Sequence, residues 1–530
     1  MRPVRKTRSA AAPAVSVPAS ERARASLRFA LLLLGGAALS AVFLDFRLWP
    51  LAWIALVPLF FYSPRAASVR SAAFAGWAFG LAANVPAFAW LVETIHRFGG
   101  FPLAIALFFY AALSAYSAAQ FAIVAAALRW AGPRAPLLLA PALWSAVEFL
   151  YPNLFPWRLG HSQRDLTWLI QIGDLTGPYG LGFVIAWFAA ALARPPLAAR
   201  RLAPPLVATL ALVAYGAWRS HAVESILAGA PRVAVGIVQG NLALDEKRHA
   251  EHYEINVARY RRLSLALAPV PDFFVWPETV VEWGIPRDRE LERARDPFPD
   301  APAPLVFGAV SYRRDPRGEP EWFNSAFVRS TEGRLTGRYD KIVLMPFGEF
   351  IPFATWFPSL KDLSPNTGDF HAGDGPAVLA VSPTVRVGAL ICYEDLLAGH
   401  VRATVAAGAT VLATLANDAW FGTSAALVQH ETLALWRAIE NRRYLVRATN
   451  TGLTSVIDPL GRRVASLPVA VDAATTVEVR PLAATSPYTA VGDAFGWLVL
   501  ALALGLLIYA RAPRNLASLH GVAPPIETER

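Results

Sequence analysis

VGALICYEDL, Val387–Leu396, sets an apolar run of strand character against a cluster of reactive groups. The run ends on Cys392, the single cysteine among 530 residues, and Tyr393, Glu394 and Asp395 follow at once. In α/β folds the loops beyond the strand ends form the crevice, so a strand end is where such a chain exposes its chemistry. A free thiol titrates near 8.5 and becomes a useful nucleophile only beside a base or a positive field. Two readings of Cys392 stand open on this stretch alone: a small apolar filler and an activated nucleophile. A lone cysteine excludes an internal disulfide and a metal cluster built on cysteines.

Outward from this stretch, Arg232–Pro481 alternates short β-rich runs with helical patterns. RVAVGIVQ precedes a helical pattern around Glu251–Leu267, then come DFFVWPE, PLVFGAVSY and FNSAFVRS. ATVLATLAND, an amphipathic pattern from Val428 to about Arg442, RYLVRATN and LTSVIDPLGR follow the cysteine. Strands mixed with helices over this length predict one α/β domain, residues 232–481, built on layered sheets. DPLGR at 458–462 reads as a hairpin turn. GNLAL and GPYGLG lack the strand–helix context and the Lys or Asp partners of a phosphate-binding loop.

The remainder of the chain is of another kind. The protein is 55% hydrophobic and only 17% charged, against about 25% charged in ordinary soluble domains. Residues 232–481 hold 27 Lys and Arg against 29 Asp and Glu, leaving 22 against 10 elsewhere. The basic excess therefore sits in the apolar part, where membrane topology explains it better than nucleic acid. Apolar runs recur at Phe29–Leu44, Leu48–Pro64, Ser71–Val92, Phe98–Leu128, Ala135–Val147, Leu175–Ala193, Leu202–Trp218 and Ala494–Ala510. About 20 residues cross the hydrocarbon layer, so eight spans are expected. Seven lie within residues 29–220 and the eighth within 491–511, and Ala135–Val147 is the shortest run. Placing the N-terminus in the cytoplasm puts 16 Lys and Arg on that side and 5 on the other. That asymmetry sets the 232–481 domain outside the cytoplasm. Residues 1–28 read as a disordered basic tail and 512–530 as a second cytoplasmic tail.

Activation of Cys392 needs partners. The nine histidines include no HxxxH or HExxH pair, so neither a metal centre nor a cofactor is expected. His430 remains as a conceivable base for the thiol. Glu278 ends the apolar run FFVWPET, and Lys341 lies in RYDKIVLMPFGEFIPF, a setting far more apolar than a surface lysine keeps. Glu349 and Glu394 are likewise single carboxylates amid apolar or aromatic neighbours. Each has an ordinary reading, as a first-turn carboxylate or a snorkelling lysine. Their coincidence in one domain, in the order Glu, Lys, Cys, favours a shared site.

WPE, YDK with PFGE, and CYE in this order resemble the Glu–Lys–Cys triad of the nitrilase, or carbon-nitrogen hydrolase, superfamily. VQGN at 238–241, DKIVLMPFGEFIPF at 340–353, ICYED at 391–395, NDAWFG at 417–422, QH at 429–430 and ATNTGLTSVIDPLG at 448–461 are more specific. With the flanking spans they resemble the apolipoprotein N-acyltransferases, the membrane-embedded branch of that superfamily, from about residue 28 to 512. Two departures stand out: Lys247 is followed by Arg248 where the family commonly has Trp, and Ala425–Val428 is looser than usual. The resemblance implies a helical membrane domain joined to an α-β-β-α sandwich. It implies Glu278 as general base, Lys341 as electrostatic stabiliser and Cys392 as nucleophile, with Glu349 and Glu394 supporting them and Tyr393 lining an acyl site. It further implies transfer of an acyl chain from a membrane phospholipid, through a Cys392 thioester, to the α-amine of a diacylglyceryl-cysteine apolipoprotein, on the periplasmic side of a bacterial inner membrane. A membrane-tethered amidase acting on a small amide is the alternative enzyme, and a catalytically inert scaffold the alternative from another class. Phe353–Leu360 and Trp420-Phe421 are candidates for dipping into lipid or packing in the core.

Overall fold

The computed structural model describes residues 19–512 apart from 244–246, 248–249, 288–293, 352–355, 358 and 360–367. Arg248, most of the Phe353–Leu360 loop, and the tails to residue 18 and from 513 lie outside the described residues.

Charge-free runs become long helices because only a closed backbone hydrogen-bond ladder is tolerated in hydrocarbon. Five stretches among the described residues are long and apolar enough to cross: Ala23–Leu44, Phe46–Arg65, Leu103–Ala131, Ala199–Gly229 and Ala494–Arg511. The helix carrying the first begins at Ala19, so part of the expected disordered tail is helical. Two of the eight expected spans are broken helix pairs. Val69–Ala87 meets Trp90–Arg97 at 58°, and Thr167–Thr176 meets Pro178–Leu192 at 119°. Proline accounts for the first break, since Pro86 removes a ladder donor near the helix end. In the second, Gly177 takes a φ of +58° and Pro178 starts the next helix. A further expected span, Ala135–Val147, is the 12-residue helix Leu139–Leu150, which rises only about 18 Å and cannot cross unaided. Helices Val69–Ala87 and Leu103–Ala131 lie backbone to backbone. A Cβ on Gly76 would come within 2.5 Å of the Phe121 carbonyl, and one on Gly80 within 2.7 Å of the Ala118 Cα.

The segment from Val233 onward forms two sheets. The first holds β1 (Val233–Gln239), β2 (Phe273–Val275), β3 (Val281–Pro286), β4 (Leu305–Arg314), β5 (Pro320–Arg329), β6 (Leu335–Asp340) and a late strand, β13 (Ala473–Val479). Its order is β13-β1-β2-β4-β5-β6, with β3 also on β4. The second runs β12-β11-β10-β9-β8-β7, from β12 (Arg463–Ser466), β11 (Ser455–Ile457), β10 (Leu445–Thr449), β9 (Val411–Ala416), β8 (Arg386–Ile391) and β7 (Val378–Ala380). Strand alternation sends side chains to opposite faces. Val387, Ala389 and Ile391 meet Val235, Ile237 and Val275 between the sheets, while Leu390 faces outward. Helix Tyr253–Leu265 covers the outer face of the first sheet through Val257 and Tyr260. Helices Ala398–Ala406 and Ala426–Asn441 cover the second. The domain is an α-β-β-α sandwich.

The membrane helices and the sandwich share one apolar core, in which Ile170 joins Trp436 and Ile439. Buried ion pairs reinforce the joint. Arg164 meets Glu431 at 3.0 Å and Asp174 meets Arg442 at 2.8 Å, while the half-buried Arg219 meets the same Asp174 at 2.5 Å from within the bundle.

Candidate active site

Four strands of the sandwich deliver polar groups to one place from their C-terminal ends. β2 leads to Glu278, β6 to Lys341, β8 to Cys392 and β9 to Asn417. Cys392 opens a tight turn, Cys392–Leu396, with φ +52°, left-handed backbone that a residue with a Cβ rarely adopts. The turn is over-determined by Glu394, which is fully buried. One Glu394 oxygen accepts from the Tyr339 hydroxyl at 2.7 Å and the Ile342 and Val343 N–H groups at 2.7 and 3.1 Å. The other accepts from the Ile391 N–H at 2.9 Å. Glu394 thus ties the Cys392 turn to the residues just after Lys341, and both its oxygens are engaged.

Glu278 is held on both oxygens. Oε1 accepts from the Asn324 amide at 2.7 Å, and Oε2 from the Asn417 N–H at 3.0 Å. Lys341 Nζ lies 3.9 Å from Glu278 and 2.7 Å from Glu349 Oε2. Glu349 is fixed in turn by Asn324 at 2.9 Å and the Met345 N–H at 2.9 Å. One Asn324 amide nitrogen therefore bridges both carboxylates that flank the lysine.

Burial pushes the Cys392 thiol well above its ordinary range, and the Glu278 carboxylate adds to this against the opposing Lys341. Burial also raises Glu278, with Lys341 opposing. For Lys341, burial disfavours the charge, but Glu349 and then Glu278 outweigh it and hold the ammonium above the usual lysine range. The resting arrangement is a neutral thiol, a carboxylate with enhanced proton affinity and a permanent cation. That combination suits proton abstraction coupled to attack on a carbonyl, with the cation placed for the oxyanion.

All three open onto a cavity of about 740 Å³. Its lining joins these polar groups to apolar sandwich residues such as Met345 and Leu396 and to membrane-domain side chains, among them Phe43, Phe88, Trp90, Phe109, Tyr116 and Phe155. Tyr393 lines it too, anchored by its hydroxyl to the Leu154 carbonyl at 2.7 Å. Trp420 and Phe421 pack inward: the Phe421 ring stands edge-on to Trp90 at 5.1 Å, and the Trp420 carbonyl accepts from Thr94 at 3.0 Å. In the partly described Phe353–Leu360 loop, Trp356 and Phe357 are exposed.

Comparison with known proteins agrees with this two-part construction. Residues 35–191 match the apolipoprotein N-acyltransferase N-terminal domain, and residues 235–481 match carbon-nitrogen hydrolase. The apolipoprotein N-acyltransferase of Geobacter metallireducens is 36% identical over 507 residues, covering 92% of this chain and 95% of the relative. Its namesake in Azotobacter vinelandii is 34% identical over 522 residues, covering 94% and 98%. The chain belongs to the apolipoprotein N-acyltransferase family.

The geometry also answers the histidine alternative. His430 lines the cavity, but its Nε2 meets Asp395 at 2.8 Å and its Nδ1 meets Asp418 at 3.2 Å. Both nitrogens face carboxylates, so no lone pair is left to take the Cys392 proton. Sequence reading missed two groups. Asn324 was hidden in FNSAFVRS as one polar residue of a strand, although an asparagine buried among Phe323, Ser325 and Ala326 signals a bound partner. Lys247 drew notice only as a neighbour of Arg248. Its Nζ donates to the Glu278 carbonyl at 3.2 Å and the Thr279 hydroxyl at 3.0 Å, bracing the turn that carries Glu278.

Proposed function

We propose that this membrane protein transfers an acyl chain from a phospholipid to the α-amine of a diacylglyceryl-cysteine apolipoprotein, with Cys392, Glu278 and Lys341 as its catalytic residues. The observation that carries the reading is the single cavity in which these three groups meet a wall of membrane-domain aromatics. Glu278 takes the thiol proton as sulfur attacks the ester carbonyl, and Lys341 with the backbone N–H groups of the nucleophile turn stabilises the oxyanion. Collapse breaks the ester C–O bond, the leaving alkoxide receives the proton from Glu278, and a lysophospholipid departs from the Cys392 thioester. The free amine then attacks the thioester, loses a proton to Glu278 and leaves as the amide, and the thiol is restored. Glu349 keeps Lys341 charged, Glu394 fixes the nucleophile turn, and Tyr393 forms part of the acyl wall.

Each buried CH₂ holds an acyl chain in the bilayer by about 0.8 kcal/mol, so extracting a whole chain into water is far costlier than sliding it sideways into an apolar cavity. That is the physical reason for mounting a sandwich on membrane helices. The arginine asymmetry supports a site on the periplasmic face of a bacterial inner membrane. A small-amide hydrolase would have no use for the aromatic wall. Incubating the purified protein with phospholipid and a diacylglyceryl-cysteine peptide tests the reading. N-acyl peptide is the expected product; amide hydrolysis without acyl transfer would refute it.

A further inference from the structure

Two turns of the site reach one imidazole from opposite sides. Asp395 lies in the Cys392–Leu396 turn and meets His430 Nε2 at 2.8 Å. Asp418 meets His430 Nδ1 at 3.2 Å and directly follows Asn417, whose N–H holds Glu278 at 3.0 Å. Asp418 is itself left-handed, with φ +53°. The imidazole therefore joins the turn bearing the nucleophile to the turn bearing the base's hydrogen-bond donor. All three side chains are buried.

The charge count gives the imidazole its state. The charged groups facing it are Asp395 on the nucleophile turn, Asp418 on the loop after β9 and Arg447 on β10. Arg447 bonds Asp395 through one nitrogen and stands 3.7 Å from Asp418 through another, and the Thr414 hydroxyl donates to Asp395 at 3.0 Å. The neighbouring Glu431 turns away to Arg164 and Arg463. Two carboxylates against one guanidinium leave a buried negative charge, which an imidazolium cancels. A neutral ring would point a lone pair at one of the carboxylates.

We propose that His430, as an imidazolium, is a positioning residue that sets the spacing between the Cys392 turn and the Glu278-holding turn, so that acylation requires its charge. The proposal rests on Cys392 as nucleophile and Glu278 as base. Burial disfavours the charge, but Asp395 and then Asp418 outweigh it and raise His430 to about 9. The clamp is therefore closed below that pH and released above it.

The test is single-turnover formation of acyl-Cys392 by the full-length protein in mixed micelles of dipalmitoyl phosphatidylethanolamine and phosphatidylglycerol, across pH 6 to 10. Omitting the peptide acceptor removes the titration of its amine. The wild-type rate is expected to fall as pH rises through about 9. His430→Gln should lower the plateau by about 100-fold, the scale of a 1 Å misplacement, and abolish the alkaline fall. Asp418→Asn keeps the imidazole but removes one carboxylate, so the fall should move down toward the ordinary histidine value of about 6.5. A purely structural role would not move that limb. A wild-type rate and alkaline limb in His430→Gln, or an unmoved limb in Asp418→Asn, would overturn the clamp. Acylation that persists in Cys392→Ala would instead overturn the nucleophile assignment beneath it.

Discussion

In the proposed mechanism Glu278 takes the Cys392 proton, so the protonation state of Glu278 sets the rate. Burial raises Glu278, so it stays protonated to a higher pH than the ordinary glutamate value of about 4.3. Only the deprotonated form accepts the thiol proton, so acylation should rise with pH along a limb displaced upward from that value. Asn324 opposes the displacement by donating to the carboxylate. Asn324→Ala should therefore push the limb to still higher pH, which single-turnover rates between pH 4 and 8 would show; an unchanged limb would separate Asn324 from the base. Lys341→Met removes the cation from the developing oxyanion and should cut acylation by about 10²–10³-fold, measured in the same assay. Of these groups, Glu278 and Cys392 could be read in the sequence because each ends an apolar run, and Lys341 because it lies in a segment more apolar than a surface lysine keeps. Asn324 and Lys247 could not, because their roles lie in which distant atoms they reach: Asn324 meets carboxylates 46 and 25 positions away.

Helices and strands were legible to different depths. Charge-free length identifies Leu202–Trp218 and Ala494–Ala510 as spans, since hydropathy alone decides whether a segment prefers lipid. It does not show where a helix breaks. The bends after Ala87 and at Gly177 belong to helices whose neighbours stabilise an interrupted ladder. The first bend brings Trp90 and Thr94 against Trp420 and Phe421, so it shapes the cavity rather than merely shortening a span. Close helix contact is equally tertiary. Any side chain at Gly80 would press on Ala118 and Phe121. Gly80→Leu should destabilise the protein by about 1–3 kcal/mol or more, seen as a lower thermal unfolding temperature in detergent. Unchanged unfolding would mean that the two helices do not pack as described.

The whole molecule is a sandwich carried on a membrane bundle, with the Cys392 thiol where the two meet. The alternation of apolar runs and strand patterns made both halves legible. Their docking was not, because Asp174, Arg219 and Arg442 look like unrelated charges until folding brings them together. Asp174→Ala would take the carboxylate partner from the buried Arg442 guanidinium, at a cost of about 3–5 kcal/mol, and should loosen the sandwich from the bundle. Faster proteolysis between the two halves is the expected result, and wild-type resistance would argue against the joint. The central claim is that Cys392 carries the acyl chain. Intact-mass spectrometry after incubation with phospholipid tests it most directly. The wild type should gain the mass of one acyl group, lost on hydroxylamine treatment and absent from Cys392→Ala. An acyl adduct that survives in Cys392→Ala, or that resists hydroxylamine, would contradict it.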